Sequence, residues 1–188
     1  MKIIALHYDG SAPSQPQVRL MADSSALTSG KPFFIPDFAG GFTVRVSLAL
    51  RVCRLGKCIA RHFAHRYYDA AAAAAVVSAH GLTPPLAAGS ALATAFDGSV
   101  WLGDFKPLGQ LGGTAVAMAL GGTRQAESEC PEPPMAPDDI IELVSRYFTL
   151  KMGDIIVAGS LCPDEPIAIG DTVTATVGGT PSLRIRVK

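Results

Sequence analysis

The sequence predicts an α+β fold dominated by strands, and three observations carry that expectation. Across 188 residues, apolar side chains reach 48% and charged ones only 17%, while 19 glycines and 14 prolines supply frequent turn and breaker positions. From Phe42 to Val52 the side chains alternate with the two-residue period of a strand. Only Asp138 to Phe148 carries a strong helical signal. A chain of this length buries one sizeable core and is short for two, so a single domain over residues 1–188 is expected.

The elements follow in order. Lys2 to His7 reads as a short buried strand, Gly10, Pro13, Ser14 and Pro16 as a loop, and Val18 to Met21 as a second apolar stretch. The long strand then sets Phe42, Val44, Val46, Leu48, Leu50 and Val52 on one face, against Thr43, Arg45, Ser47, Ala49 and Arg51 on the other. Ile59 to Tyr68 suits a short helix. For Ala70 to Ala75, propensity argues helix while Val76 and Val77 argue strand, and the sequence leaves both open. Phe96-Asp97-Gly98-Ser99 reads as a turn into a strand of Val100, Trp101 and Leu102, and Gly112 to Gly122 is apolar and glycine-rich. Glu127 to Pro137 is a polar, proline-rich loop, and the helix after it has Ile140, Leu143, Val144 and Tyr147 spaced for one buried face. Ile155 to Val157 is a strand. Val173, Ala175 and Val177 alternate in another, joined around Gly178-Gly179-Thr180-Pro181 to an antiparallel partner carrying Leu183, Ile185 and Val187.

Sixteen basic and sixteen acidic residues leave no net charge, so no whole-molecule field draws the chain to nucleic acid or an anionic membrane. The N-terminal apolar run reaches His7 at once, too short for a signal peptide or a membrane span, and a cytoplasmic address is expected. Cys53, Cys58, Cys130 and Cys162 form no Cys-x-x-Cys pair and are expected to be free, mostly buried thiols.

Residues 141–160 read IELVSRYFTLKMGDIIVAGS, with a helix ending Ser145-x-x-x-Thr149-Leu150 that leads through Gly153-Asp154 to a strand ending Gly159-Ser160. Gly170-Asp171-Thr172-Val173 and Leu183 to Val187 follow, while Gly30 to Pro36, Arg54 to Lys57 and Phe96-Asp97-Gly98 precede in matching order. This pattern resembles the fumarylacetoacetate hydrolase family. The resemblance implies layered, partly rolled sheets with few short helices, and a homodimer. It also implies a divalent Mg2+, Mn2+ or Ca2+ that serves hydrolysis or isomerisation of β-diketo or 2-oxo acids.

A hard cation needs oxygen ligands, chiefly carboxylates on a rigid frame. The family's Glu-x-Glu falls on Arg45 and Ser47 and its Asp near Val76. Arginine is always cationic and offers no acceptor, so it repels an ion where a ligand should stand. Between Phe38 and Phe96 the only acidic residue is Asp69, where the chain average would place about five. The family's Asn-Tyr-x-x-His becomes His7-Tyr8-Asp9-Gly10-Ser11, and its lysine before Phe-Asp-Gly becomes Thr94 or Ala95. Ser160, in place of the threonine of Gly-Thr-Pro, keeps a hydroxyl able to meet a carboxylate.

The expectation is a family member with impaired or absent catalysis and no resident metal or other cofactor. It keeps a small-organic-acid pocket near Tyr8, Arg45, Ser47 and Ser160. An active hydrolase or isomerase with relocated ligands and a structural or interaction protein are the alternatives. Rival sites read as ordinary surface: Glu127, Glu129 and Glu132 as a solvated loop, and His62 and His65 as a pair lacking further ligands. The basic run of Arg51, Arg54, Lys57, Arg61 and Arg66 beside Tyr67 and Tyr68 matches no nucleic-acid-binding motif. Arg45 and Arg51 are expected to pair with acidic residues elsewhere or to reach solvent. Ser160 with His7 or His80 lacks a nucleophile-elbow sequence.

Overall fold

The computed structural model describes residues 1–8, 15–85, 91–123, 125–130 and 132–188. The loop predicted from Gly10, Pro13 and Ser14 lies outside them, as does Ser11, where the family's histidine would stand. The strands are β1 (Ile3–His7), β2 (Gln17–Met21), β3 (Ala26–Thr28), β4 (Ala39–Val52), β5 (Tyr68–Leu82), β6 (Val100–Leu102) and β7 (Lys106–Pro107). They continue with β8 (Val116–Gly121), β9 (Ala126–Cys130), β10 (Ile155–Val157), β11 (Glu165–Ile167), β12 (Thr172–Val177) and β13 (Thr180–Arg186). The α-helix is α1 (Pro137–Tyr147), with Pro137 in its first turn and Asp138 and Asp139 at its positive end.

Two sheets result. The larger runs β2-β1-β10-β4-β5-β6-β3, with β11 also on β4 and β7 also on β5, and the smaller runs β13-β12-β8-β9. The long antiparallel pair β4–β5 is the spine, with Leu48 opposite Ala73 and Arg45 opposite Val76. One face of β4, Phe42 to Val52 at every second position, is buried in the main core with Trp101, Val144, Ile156, Val173 and Ile185. Burying each such side chain is worth roughly 1.5–3 kcal/mol. The other face carries a smaller apolar cluster that includes Ala5, Met21, Ala49, Ala74 and Val157.

The alanine run is strand. Its propensity for helix is overridden because β4 offers every alanine a ladder partner. On its other edge the Gly103 N–H donates to the Ala73 carbonyl at 2.8 Å, and the Ala73 N–H donates to Ser182 Oγ at 2.9 Å. Side chains no larger than methyl admit this close packing.

Three expectations are corrected. Glu127 and Glu129 lie on strand β9, paired to β8, rather than in a loop. Ile59 to Tyr68 yields only a 3-10 turn, Arg61–Arg66, with Tyr68 already in β5. The buried face of α1 is Ile140, Ile141, Val144 and Ser145, and Tyr147 is 67% exposed. Ser145 is buried because its Oγ accepts the Ile59 N–H at 2.9 Å, which ties the helix to the turn.

Candidate functional site

Strand alternation on β4 points Arg45 and Ser47 to the face away from the main core, and the β4–β5 register sets Val76 directly across from Arg45. All three line one cleft with His7, Arg19, Ser78, Thr94, Gly159, Ser160 and Asp164. Its floor is apolar, from Ala5, Met21 and Val157 of the smaller cluster. The free volume is about 30 Å³.

Arg45 is fully engaged along one edge. Its Nε donates to Asp164 Oδ1 at 3.0 Å and its Nη2 to Asp164 Oδ2 at 2.6 Å, a bidentate fork. Its Nη1 donates to the Tyr8 carbonyl at 3.0 Å. Arg19, on β2, is held differently. It donates to Thr94 Oγ1 at 2.9 Å and to Gln17 Oε1 at 3.1 Å, and among the described residues no carboxylate forms an ion pair with it. A cation therefore reaches the Thr94 position, where the family resemblance implied a lysine.

Gly159 brings the loop after β10 across the end of β1. Its φ is +73°, and a Cβ there would meet the Leu6 carbonyl at 2.7 Å and the Tyr8 ring at 2.8 Å. Only glycine accepts both the left-handed backbone and the contact. The next residue, Ser160, is buried and donates its hydroxyl to the Val46 carbonyl. That proton is committed to the backbone, so Ser160 offers a ligand its lone pairs rather than a donor.

Of the four residues expected around the pocket, the structure brings Arg45, Ser47 and Ser160 together and separates Tyr8 from them. The Tyr8 ring is 2% exposed within the main core, and burial pushes its phenol above the ordinary tyrosine range. It contributes through its carbonyl. The alternation of β1 explains the correction: Ile4, Leu6 and Tyr8 face the core while Ala5 and His7 face the cleft. Sequence reasoning missed Arg19 and Asp164. For Arg19 the signal was present, since it shares the inward period of β2 with Met21. Asp164 had none, being 119 positions from Arg45 with no pattern linking them.

The rival sites fall apart. His80 bonds Thr43 Oγ1 at 2.8 Å and does not line the cleft. Arg51 pairs with Asp69 and Arg61 with Asp139, while Arg66 lies over the Phe63 ring at 5.0 Å, so the basic run is dispersed. His62 and His65 are exposed. The cysteine expectation is corrected: Cys130 and Cys162 form a disulfide with a Cα–Cα distance of 5.2 Å, and only Cys53 and Cys58 are free. The fold joins the end of β9 to the loop after β10, a meeting that spacing alone does not reveal. Neither free thiol is fully buried. Among the described residues no helix is long and apolar enough to cross a membrane.

Residues 7–188 match the family described as Fumarylacetoacetate (FAA) hydrolase C-terminal. The chain belongs to the fumarylacetoacetate hydrolase family. It is 30% identical over 99 residues to the oxaloacetate tautomerase YcgM of Escherichia coli K12, an alignment spanning 50% of this chain and 45% of that protein. It is 22% identical over 175 residues to the mitochondrial oxaloacetate tautomerase fahd-1 of Caenorhabditis elegans, spanning 90% and 82%. Solved structures also share the fold. A 5-carboxymethyl-2-hydroxymuconate delta-isomerase from Mycobacterium smegmatis superposes with TM-score 0.80 at 22% identity, covering 99% of this chain and 78% of that one. The fumarylpyruvate hydrolase of Pseudomonas aeruginosa, in complex with Mn2+ and pyruvate, does so with TM-score 0.78 at 16% identity, covering 99% and 88%.

The divalent metal of the fumarylacetoacetate hydrolase family meets a poor donor set in this cleft. At the three positions the resemblance assigns to carboxylates stand a guanidinium, a hydroxyl and an isopropyl group. The cleft carboxylate of Asp164 is held by Arg45. Among the described residues no group of three His, Cys, Asp or Glu converges on a point that could hold a metal ion. These residues do not fit a hard cation, which needs several oxygen ligands and excess negative charge.

Proposed function

We propose that this chain binds a small organic carboxylate in the Arg19–Arg45 cleft and does not carry out metal-dependent chemistry there. One observation carries the reading: two guanidiniums face the cleft, and among the described residues Asp164 pairs with Arg45 while no carboxylate pairs with Arg19. Surplus positive charge over an apolar floor favours an anion with a short carbon skeleton, and guanidinium suits a carboxylate. Thr94 and Gln17 fix the direction of Arg19. Ser47 and Ser78 add hydroxyls at the wall.

Pyruvate titrated calorimetrically into the protein, with a dithiol reductant and EDTA present, tests this. Saturable binding is expected, weakened about tenfold or more by Arg19→Ala, since a hydrogen bond to a charged group is worth about 1.5–3 kcal/mol. Absence of binding overturns the proposal. The names of the two curated relatives favour a second reading, an active tautomerase of a 2-oxo acid. Stoichiometric Mn2+ binding with chelator-sensitive turnover of oxaloacetate would establish it instead. Assembly as a homodimer belongs to the same proposal, and sedimentation velocity checks it.

A further inference from the structure

Asp164 grips Arg45 as a carboxylate ligand would. The fork uses Nε and Nη2 together, the edge a guanidinium presents to an incoming acid, so Asp164 holds the positions an external carboxylate would take. Asp164 comes from a segment between β10 and β11 that has no regular structure, and its side chain is 38% exposed. Two residues earlier, buried Cys162 is joined to Cys130 at the end of β9, a strand of the other sheet. The disulfide thus pins the same short segment that carries Asp164.

We propose that Asp164 is a built-in carboxylate occupying the anion site, and that the Cys130–Cys162 disulfide holds it there until reduction lets an external carboxylate take its place on Arg45. The proposal rests on the anion-binding reading above and adds its regulation. Reduction is thiol–disulfide exchange with a dithiol: the Cys130–Cys162 bond breaks, two thiols form, and the dithiol closes to its own disulfide as two electrons and two protons transfer. Freed from β9, the segment loses one of its anchors and keeps the Arg45–Asp164 pair, the Ser160–Val46 hydrogen bond and the β11–β4 pairing that begins at Glu165. A partly exposed pair yields readily to a competing carboxylate. Affinity for ligand then scales with the fraction of molecules whose Arg45 is vacant.

Pyruvate binding is measured calorimetrically on the oxidised protein, the protein in dithiothreitol, Asp164→Ala and Cys162→Ser, with thiol titration confirming two free thiols before reduction and four after. Reduced protein and Asp164→Ala are each expected to bind at least about tenfold tighter than oxidised protein. Asp164→Ala should gain little more from dithiothreitol, and Cys162→Ser should behave as reduced protein. Equal affinity in oxidised protein, reduced protein and Asp164→Ala overturns the gate while leaving anion binding standing, provided Arg19→Ala weakens it. Absence of binding in every form overturns both. Should Cys162→Ser fail to fold, the comparison of wild-type protein with and without dithiothreitol decides.

Discussion

Asp154 and Asp171 stand at corresponding places just before β10 and β12, and each does the same work. Asp154, 2% exposed, accepts the Lys151 N–H three residues back at 2.8 Å and the Lys2 N–H at 3.0 Å, and pairs with the Lys2 ammonium. Asp171, 1% exposed, accepts the Ala168 N–H three residues back at 2.9 Å and the Thr123 N–H at 2.8 Å. Both lock a turn into the following strand and tie it to a distant segment. Arg45, Ser47 and Val76 lie on the spine between these turns and follow no such rule, as nothing in the fold requires a carboxylate there. The contrast teaches that the two Gly-Asp turns serve the fold through their buried carboxylates, while the side chains of Arg45, Ser47 and Val76 hold no turn.

The largest effect should come from breaking the turns. Asp154→Ala strands two part-buried backbone donors and an ammonium, and a loss of about 3 kcal/mol is expected in urea denaturation. Asp171→Ala should lose a similar amount. Burial alone would raise the Asp154 pKa, but the hydrogen bonds from the Lys2 side chain, the Lys2 N–H and the Lys151 N–H outweigh it and hold the carboxyl below its ordinary value. A depressed folded-state pKa stabilises the protein above the unfolded value, about 3.9 for Asp, and that stability is lost as pH falls through the folded value. Wild-type stability should therefore drop below about pH 4, and the drop should shrink in Asp154→Asn.

The comparison sharpens if carboxylates are put into the cleft. Arg45→Glu, Ser47→Glu and Val76→Asp together are expected to fold without metal at reduced stability. Mn2+ at a hundred times its Kd should then restore about 2.7 kcal/mol, as linkage requires. The same Mn2+ should not move the wild-type melting curve. Equal stabilisation of both proteins would show that ligands elsewhere hold the ion. Gly159→Ala has a somewhat smaller predicted effect, about 2 kcal/mol from the left-handed backbone and the Tyr8 contact, read from the same denaturation curves.

Much of the fold was legible because its signals are local. Period-two alternation gave β4, β12 and β13 with their buried faces, and Ile155 to Val157 and Val100 to Leu102 are strands at the predicted residues. The alanine run was illegible because six methyl groups carry no periodicity, and only the partner β4 decides their conformation. Half of the site was legible for the same reason: Arg45 and Ser47 follow from one strand's period. The rest arises from long-range meetings. Asp164 on Arg45, Arg19 at Thr94 and Cys130 with Cys162 each join segments far apart in sequence, and Tyr8 was misassigned by the one residue that separates the two faces of β1.

The smallest expected effect is at Arg51, six positions along β4 from Arg45 and on the same face. Its fork onto Asp69 looks like that of Arg45 onto Asp164, with Nε to Oδ1 at 3.0 Å and Nη2 to Oδ2 at 2.9 Å. Its surroundings differ, since the Arg51 and Asp69 side chains are 43% and 46% exposed, whereas Arg45 is 18% exposed. Solvent screens an exposed pair, so Arg51→Ala should change stability by no more than about 0.5 kcal/mol and leave pyruvate affinity unchanged. Arg45→Ala should alter that affinity, because its charge sits over the apolar floor where field lines are less screened. Identical binding behaviour of the two variants would mean that the strand face as a whole, rather than the cleft, attracts the anion.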